Sequence, residues 1–121
     1  MKHIAAGNVE FLVETSEGRN DGGPSVQVVA SVEGHEHQLL RFDCFRNHPH
    51  YHYDPMGKDE RYNIDLTVID DSLGWVLGQL RTELATMIAR AGQPAIASGL
   101  DMPAVAAAID EAEAHFRAHA V

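Results

Sequence analysis

The hydrophobic period changes once along this chain, and that change decides the architecture. From about residue 9 to residue 69 apolar side chains recur at every second position, and from about residue 72 to residue 119 they recur every three or four. The first spacing is that of strands with one buried face, and the second is that of helices with one apolar stripe. "VEFLVET" aligns Val9, Phe11 and Val13, and "SVQVVASVE" aligns Val26, Val28, Ala30 and Val32. "HQLLRFDCF" sets Leu40, Phe42 and Cys44 against Arg41 and Asp43, and "RYNIDLTVI" alternates again through Tyr62, Ile64, Leu66 and Val68. The turn clusters "SEGRNDGGP" and "DPMGKDE" separate these segments. Consecutive strands joined by short turns call for an antiparallel meander.

At "DDSLGW" the pattern becomes helical. Asp71 or Ser72 serves as N-cap, and Leu73, Val76, Leu77, Leu80, Leu84, Met87 and Ile88 form one stripe that ends at Gly92. After the loop "GQPAIASGL", Asp101 caps a second helix with Pro103 in its first turn, and Val105, Ile109, Ala112 and Phe116 form its stripe. The expected fold is α+β: an antiparallel β-meander of four to five strands (about 9–69), followed by two C-terminal helices (about 72–91 and 102–119) packed on one face. A single domain over residues 1–121 is expected from the length.

Composition narrows the function classes. A formal charge of −9, with nine scattered Lys and Arg, argues against a nucleic-acid partner and against a small RNA-cleaving enzyme. No apolar run approaches the roughly 20 residues of a membrane helix, and the N-terminus has no signal-type apolar region. One cysteine, Cys44, rules out an internal disulfide framework and suits a reducing cytoplasm, the expected location. Its place on the apolar face with Leu40 and Phe42 marks it as a buried small hydrophobe rather than a nucleophile.

The stretch "HPHYHYDP", residues 48–55, carries most of the chemistry. In an extended strand His48, His50 and His52 share a face with Asp54, and an H-x-H pair brings two imidazoles within reach of one ion. Pro49 cannot donate a ladder hydrogen bond, so the strand bends or lies at an edge there, leaving His50 and His52 as the firmer pair. If this strand pairs back across "DPMGKDE", His52 lies opposite Tyr62 or Asn63, and His50 opposite Ile64 or Asp65. Asp65 or Asp43 would then complete the set as a ligand or as an orienting carboxylate. Two histidines and a carboxylate with open positions suit a divalent metal, Zn²⁺ or Fe²⁺. Two metal-free alternatives use the same residues: an acid–base site in which Asp65 or Asp43 orients a histidine beside Tyr51 or Tyr53, and a purely structural edge strand. No H-e-x-x-H, C-x-x-C or G-x-S-x-G arrangement is present.

Two further features point outward. Trp75 falls nearly opposite the leucine stripe of its helix, so it is expected to cover a loop, a ligand or a second subunit. Gly74, Gly78 and Ala85 form a small-residue flank, and with Trp75 they make a homodimer the expected assembly, with packing on the "DPMGKDE" loop as the local alternative. His115 and His119, four apart in the last turns of the second helix, complement its dipole.

The block from "LLRFDCF" through "HPHYHYDPMGKDE" to "DSLGWVLGQLRTELATMIARAG" resembles a family of small bacterial proteins whose label is a domain of unknown function. It spans roughly residues 39–92, and the resemblance implies that these residues act as one unit without implying an activity. Two function classes follow from the residues. The first is a small metal-binding protein, a metal-dependent hydrolase or lyase of a small molecule, with His50 and His52 as ligands and Asp65, Asp43 or His48 completing the shell. The second is a non-catalytic binding or assembly module whose His/Tyr strand and Trp75 form an interface.

Overall fold

Six strands run in chain order through one antiparallel sheet. They are β1 (Lys2–Ala6), β2 (Val9–Ser16), β3 (Gly23–Val32), β4 (His35–Asp43), β5 (His50–Tyr53) and β6 (Glu60–Asn63), followed by the helices α1 (Ser72–Arg90), α2 (Pro94–Ser98) and α3 (Met102–Ala118). This computed structural model describes residues 1–18 and 20–119. The α+β meander expected from the periodicity is present, with more strands than expected. β1 is the addition: "KHIAA" is short and points only Ile4 and Ala6 inward, so its alternation is faint, yet it pairs along its length with Val9–Val13 through a turn at Gly7 and Asn8. α2 is a single short turn of helix inside the "GQPAIASGL" loop.

Alternation assigns each face of the sheet. Ile4, Phe11, Val13, Val26, Val28, Leu40, Phe42 and Tyr53 point inward and meet Val76, Leu80, Leu84 and Ile88 of α1 and Val105, Ile109, Ala112 and Phe116 of α3 in one core. Both long helices carry aspartate caps, Asp71 accepting from Gly74 N and Asp101 from Ala104 N. Within β4 the register shifts between Val28 and Val29 of its partner: Val28 faces Leu40 and Val29 faces Gln38. Leu39 is the extra residue of this bulge, and both Leu39 and Leu40 are buried. From Leu40 onward even positions face the helices, so Arg41 and Asp43 face away from them. None of the described helices is long and apolar enough to cross a membrane.

β6 is shorter than the alternation of "RYNIDLTVI" implies. The ladder stops at Asn63 because Asp65 turns on itself, its Oδ1 accepting from Thr67 N at 2.9 Å and from the Thr67 hydroxyl at 2.6 Å. Leu66 and Val68 therefore stand exposed in a turn rather than along a strand.

The segment that feeds β5 is pinned to the start of β3. Cys44 N donates to Pro24 O, Arg46 N donates to Gly22 O, and the Asp21 carboxylate accepts from Asn47 N and His48 N. Desolvation opposes ionisation of Asp21, but these amides outweigh it and hold its carboxyl below the usual value. Gly23 makes the approach feasible: its φ is +150°, and a Cβ there would sit 2.5 Å from the Cys44 carbonyl oxygen. Gly34 also has a left-handed φ, +80°, but has open space around it. Gly34→Ala is therefore expected to cost about 1 kcal/mol, and Gly23→Ala about 3 kcal/mol or more, since overlap adds to backbone strain. Urea unfolding followed by Trp75 fluorescence measures both; equal losses would contradict the close approach at Gly23.

Candidate metal centre

β4 and β5 pair so that Asp43 faces His50 and Arg41 faces His52. All four side chains share the sheet face that the helices leave open, because their inward neighbours Phe42 and Tyr51 pair in the core-facing row. Among the described residues, Asp43, His50 and His52 form the one group of three or more His, Cys, Asp and Glu side chains whose ligand atoms all lie within 4.8 Å of one another. His50 Nε2 and Asp43 Oδ2 are 3.1 Å apart, close to the roughly 3.3 Å that separates ligands about a tetrahedral ion with 2.0–2.1 Å bonds.

Asp43 lies under 4% exposure, 3% by relative area, and its oxygens are fully engaged. Ser25 Oγ donates to Oδ1 at 3.0 Å, and Arg41 Nε donates to both oxygens at 3.2 Å. Burying a carboxylate is costly unless donors replace its water, and β3 and β4 supply them here. His50 is oriented from behind. Its Nδ1 lies 3.0 Å from the His48 carbonyl, which can only accept, so Nδ1 carries a hydrogen. Its Nε2 then faces a carboxylate, an arrangement satisfied by a second ring proton or by a cation between the two. Phe45 packs edge-on against the His50 ring, with centroids 5.6 Å apart. His52 is held by Asp59, whose Oδ1 is 2.7 Å from Nδ1, which leaves Nε2 as the nitrogen with a free lone pair. A carboxylate behind a histidine in this way fixes the tautomer that a metal requires.

The other residues singled out in the sequence are placed as follows. His48 is exposed with its ring outside the cluster; its backbone holds the site instead, through the carbonyl on His50 and the amide on Asp21. Asp65 lies in the turn with Thr67, and the two Thr67 donors hold its carboxyl below the usual value. The pairing explains its distance from the centre: His50 faces Asn63 and His52 faces Arg61, one or two residues tighter than the expected register. The loop closes at Tyr53 and Glu60, with Gly57 N and Asp59 N both donating to Asp54 O.

Tyr51 and Tyr53 lie on the opposite face, beneath the helices. Tyr51 stacks between Phe42 and Tyr62, at 5.7 and 5.5 Å, and Trp75 closes over it at 5.7 Å. Burial pushes both hydroxyls of Tyr51 and Tyr53 up from the usual phenol value. Arg90 lies over the Tyr53 and Tyr62 rings and pairs with Glu60. Trp75 is thus half-buried against β5 in its own chain. Gly74 leaves room for the Asp71 carboxylate that caps α1, while among the described residues nothing beyond the local backbone of α1 lies within 4 Å of a Cβ at Gly78.

Ser25, Arg41 and Asp59 are the site residues that the sequence did not single out. Asp59 sits inside an apparent turn cluster, and its role follows only from its φ of +53°, which aims the side chain back along β5. Cys44 follows Asp43 directly but lies on the core side, where burial first, and the neighbouring Asp43 charge second, push its thiol up to about 12. Native protein should therefore resist iodoacetamide at pH 8 and react only in denaturant, a contrast that intact-mass spectrometry reads directly.

The comparisons with known proteins bear on the whole chain. Neither the curated proteins nor the solved structures include a match to it. One family model matches residues 3–116, which takes in β1 from its second residue, all of β2 to β6 and most of α3. By that match the chain belongs to the family described as a domain of unknown function, DUF7700.

Proposed function

We propose that this is a metal-binding protein in which Asp43, His50 and His52 hold one divalent ion, Zn²⁺ or Fe²⁺, and that the ion serves hydrolysis or lyase chemistry on a small molecule. The observation that carries this is the convergence of the three ligand atoms within 4.8 Å, on two paired strands, with both histidines oriented from behind by oxygen acceptors. Two imidazoles and one carboxylate leave coordination positions open for water or substrate. A divalent ion so held brings bound water into the neutral range of ionisation and polarises a carbonyl or phosphoryl oxygen. Asp43 would share its charge between the ion and Arg41, so Arg41 offsets part of the attraction and keeps the site from being a tight structural one.

A second reading rests on the same contact. With Arg41, Ser25 and His50 all donating, Asp43 needs no ion, and His50–Asp43 would then be an acid–base pair on the open face. In that case His50 carries hydrogens on both nitrogens. The two readings respond oppositely to metal.

Plasma mass spectrometry on untagged protein, reconstituted with Zn²⁺ or with Fe²⁺ under argon, is expected to find near one equivalent in wild type and none in His50→Ala/His52→Ala. Absence of metal from wild type after both reconstitutions leaves the acid–base pair. Asp59→Asn should keep the ion but weaken its binding about 10- to 100-fold, the usual effect of removing an orienting carboxylate. Uptake should release protons and strengthen with rising pH, because imidazole ligates only through an unprotonated nitrogen; calorimetry in two buffers of different ionisation enthalpy measures that release.

A further inference from the structure

The row of side chains on the open face does not end at His52. β6 lies beyond β5, and its register places Asn63 opposite His50 and Arg61 opposite His52. Directly opposed residues share a face, with Cβ atoms about 4.5–5.5 Å apart. The open face therefore presents Asp43, His50 and Asn63 in one row and Arg41, His52 and Arg61 in the next. Arg61 and Asn63 are both exposed, and both line a cavity of about 370 Å³ together with Asn47, His48 and Pro49, the segment that leads into His50. The one carboxylate in that lining, Asp65, is already engaged by the Thr67 amide and hydroxyl.

Arg61, with Arg46 and Lys58, is one of three Lys and Arg side chains that make no ion pair among the described residues. Acidic residues outnumber Lys and Arg by 18 to 9, so most basic side chains find a carboxylate. Lys2, Arg41, Arg81, Arg90 and Arg117 all do. Of the three that do not, Arg61 is the one that stands directly opposite His52 in the sheet register. An arginine presents a planar fork that grips two oxygens of one oxyanion, and an asparagine amide adds a donor at its side.

From this placement we infer that Arg61 and Asn63 are the anion-binding half of the site, and that its ligand is a small molecule bearing a carboxylate or phosphate group. One oxygen of that group, or the atom beside it, would face the ion at Asp43, His50 and His52, while Arg61 and Asn63 hold the remaining oxygens. This rests on the metal centre proposed above. It explains how an acidic protein admits an anion: the local field at the cluster is set by the ion and the unpaired Arg61, with Arg41 behind, rather than by the net charge.

Co²⁺ separates the two levels of the argument, because its visible absorption reports the ligand set. Wild type, Arg61→Gln and the remote control Arg117→Gln are each titrated with Co²⁺ alone, then with malonate or inorganic phosphate. All three proteins should take up Co²⁺ alike. Malonate or phosphate should then shift the wild-type and Arg117→Gln spectra at the same concentration, and Arg61→Gln should need on the order of tenfold more, the loss for a charge-assisted contact. Whichever anion acts at lower concentration identifies the group as carboxylate or phosphate. Equal anion affinity in Arg61→Gln, or no response of wild type to either anion, overturns the inference and leaves the metal centre standing. Failure of wild type to bind Co²⁺ at all removes both.

Discussion

A buried carboxylate organises the open side of this sheet. Asp43 is removed from water at the end of β4, and an ionised group so placed persists only where donors surround it. Ser25 from β3 and Arg41 from β4 itself supply donors, and His50 from β5 closes the remaining side with its Nε2 3.1 Å away. The requirement fixes more than one contact. It sets the register of β5 on β4, and it demands a reversal at residues 44–49 tight enough to bring His50 back beside Asp43. Asp21 and Gly23 provide that reversal from the preceding loop. The chemistry of the site and the topology of the middle of the sheet are one constraint seen from two sides.

The opposite face of the same two strands keeps the arrangement stiff. Each inward residue alternates with a site residue: Phe42 with Arg41 and Asp43, Tyr51 with His50 and His52. The stacked rings of Phe42, Tyr51 and Tyr62, with Trp75 above and Arg90 across Tyr53, cover the backs of the strands that carry Asp43, His50 and His52. Aromatic packing of this kind has few alternative geometries, so a strand of only four residues, β5, can hold two imidazoles in place. A displacement of Tyr51 or Trp75 would be felt as a change in the angle between His50 and His52.

Much of this was legible in the sequence, and the part that was not has a common cause. Period-two alternation placed His50 and His52 on one face, and the change of period located the helices; Tyr51 and Tyr53, expected beside an acid–base histidine, lie instead on the core-facing side of the sheet. Alternation is a property of one strand, however, and cannot give the register between two. Asp65 and Asp43 were equally good partners for the histidines on that basis. The tight closure at Tyr53 and Glu60 and the turn at Asp65–Thr67 separated them. β1 was missed for a different reason, since alanines at two of its five positions blur the contrast between its faces. Trp75 stood out because its own helix leaves it off the apolar stripe; that the edge of the sheet reaches round to meet it depends on tertiary placement, which helical spacing does not carry.

Asp43, His50 and His52 lie within ten positions of one another along the chain, joined by the single reversal at residues 44–49. Such closeness has a thermodynamic consequence for any ion held there. A short tether keeps Asp43, His50 and His52 at high effective concentration even in a denatured chain, so the denatured state would retain some of the affinity. An ion stabilises a fold only by the difference between its affinities for the two states. The shift in melting temperature on adding metal would accordingly understate how tightly the native site binds, and the peptide spanning β4 to β6 would compete for the same ion.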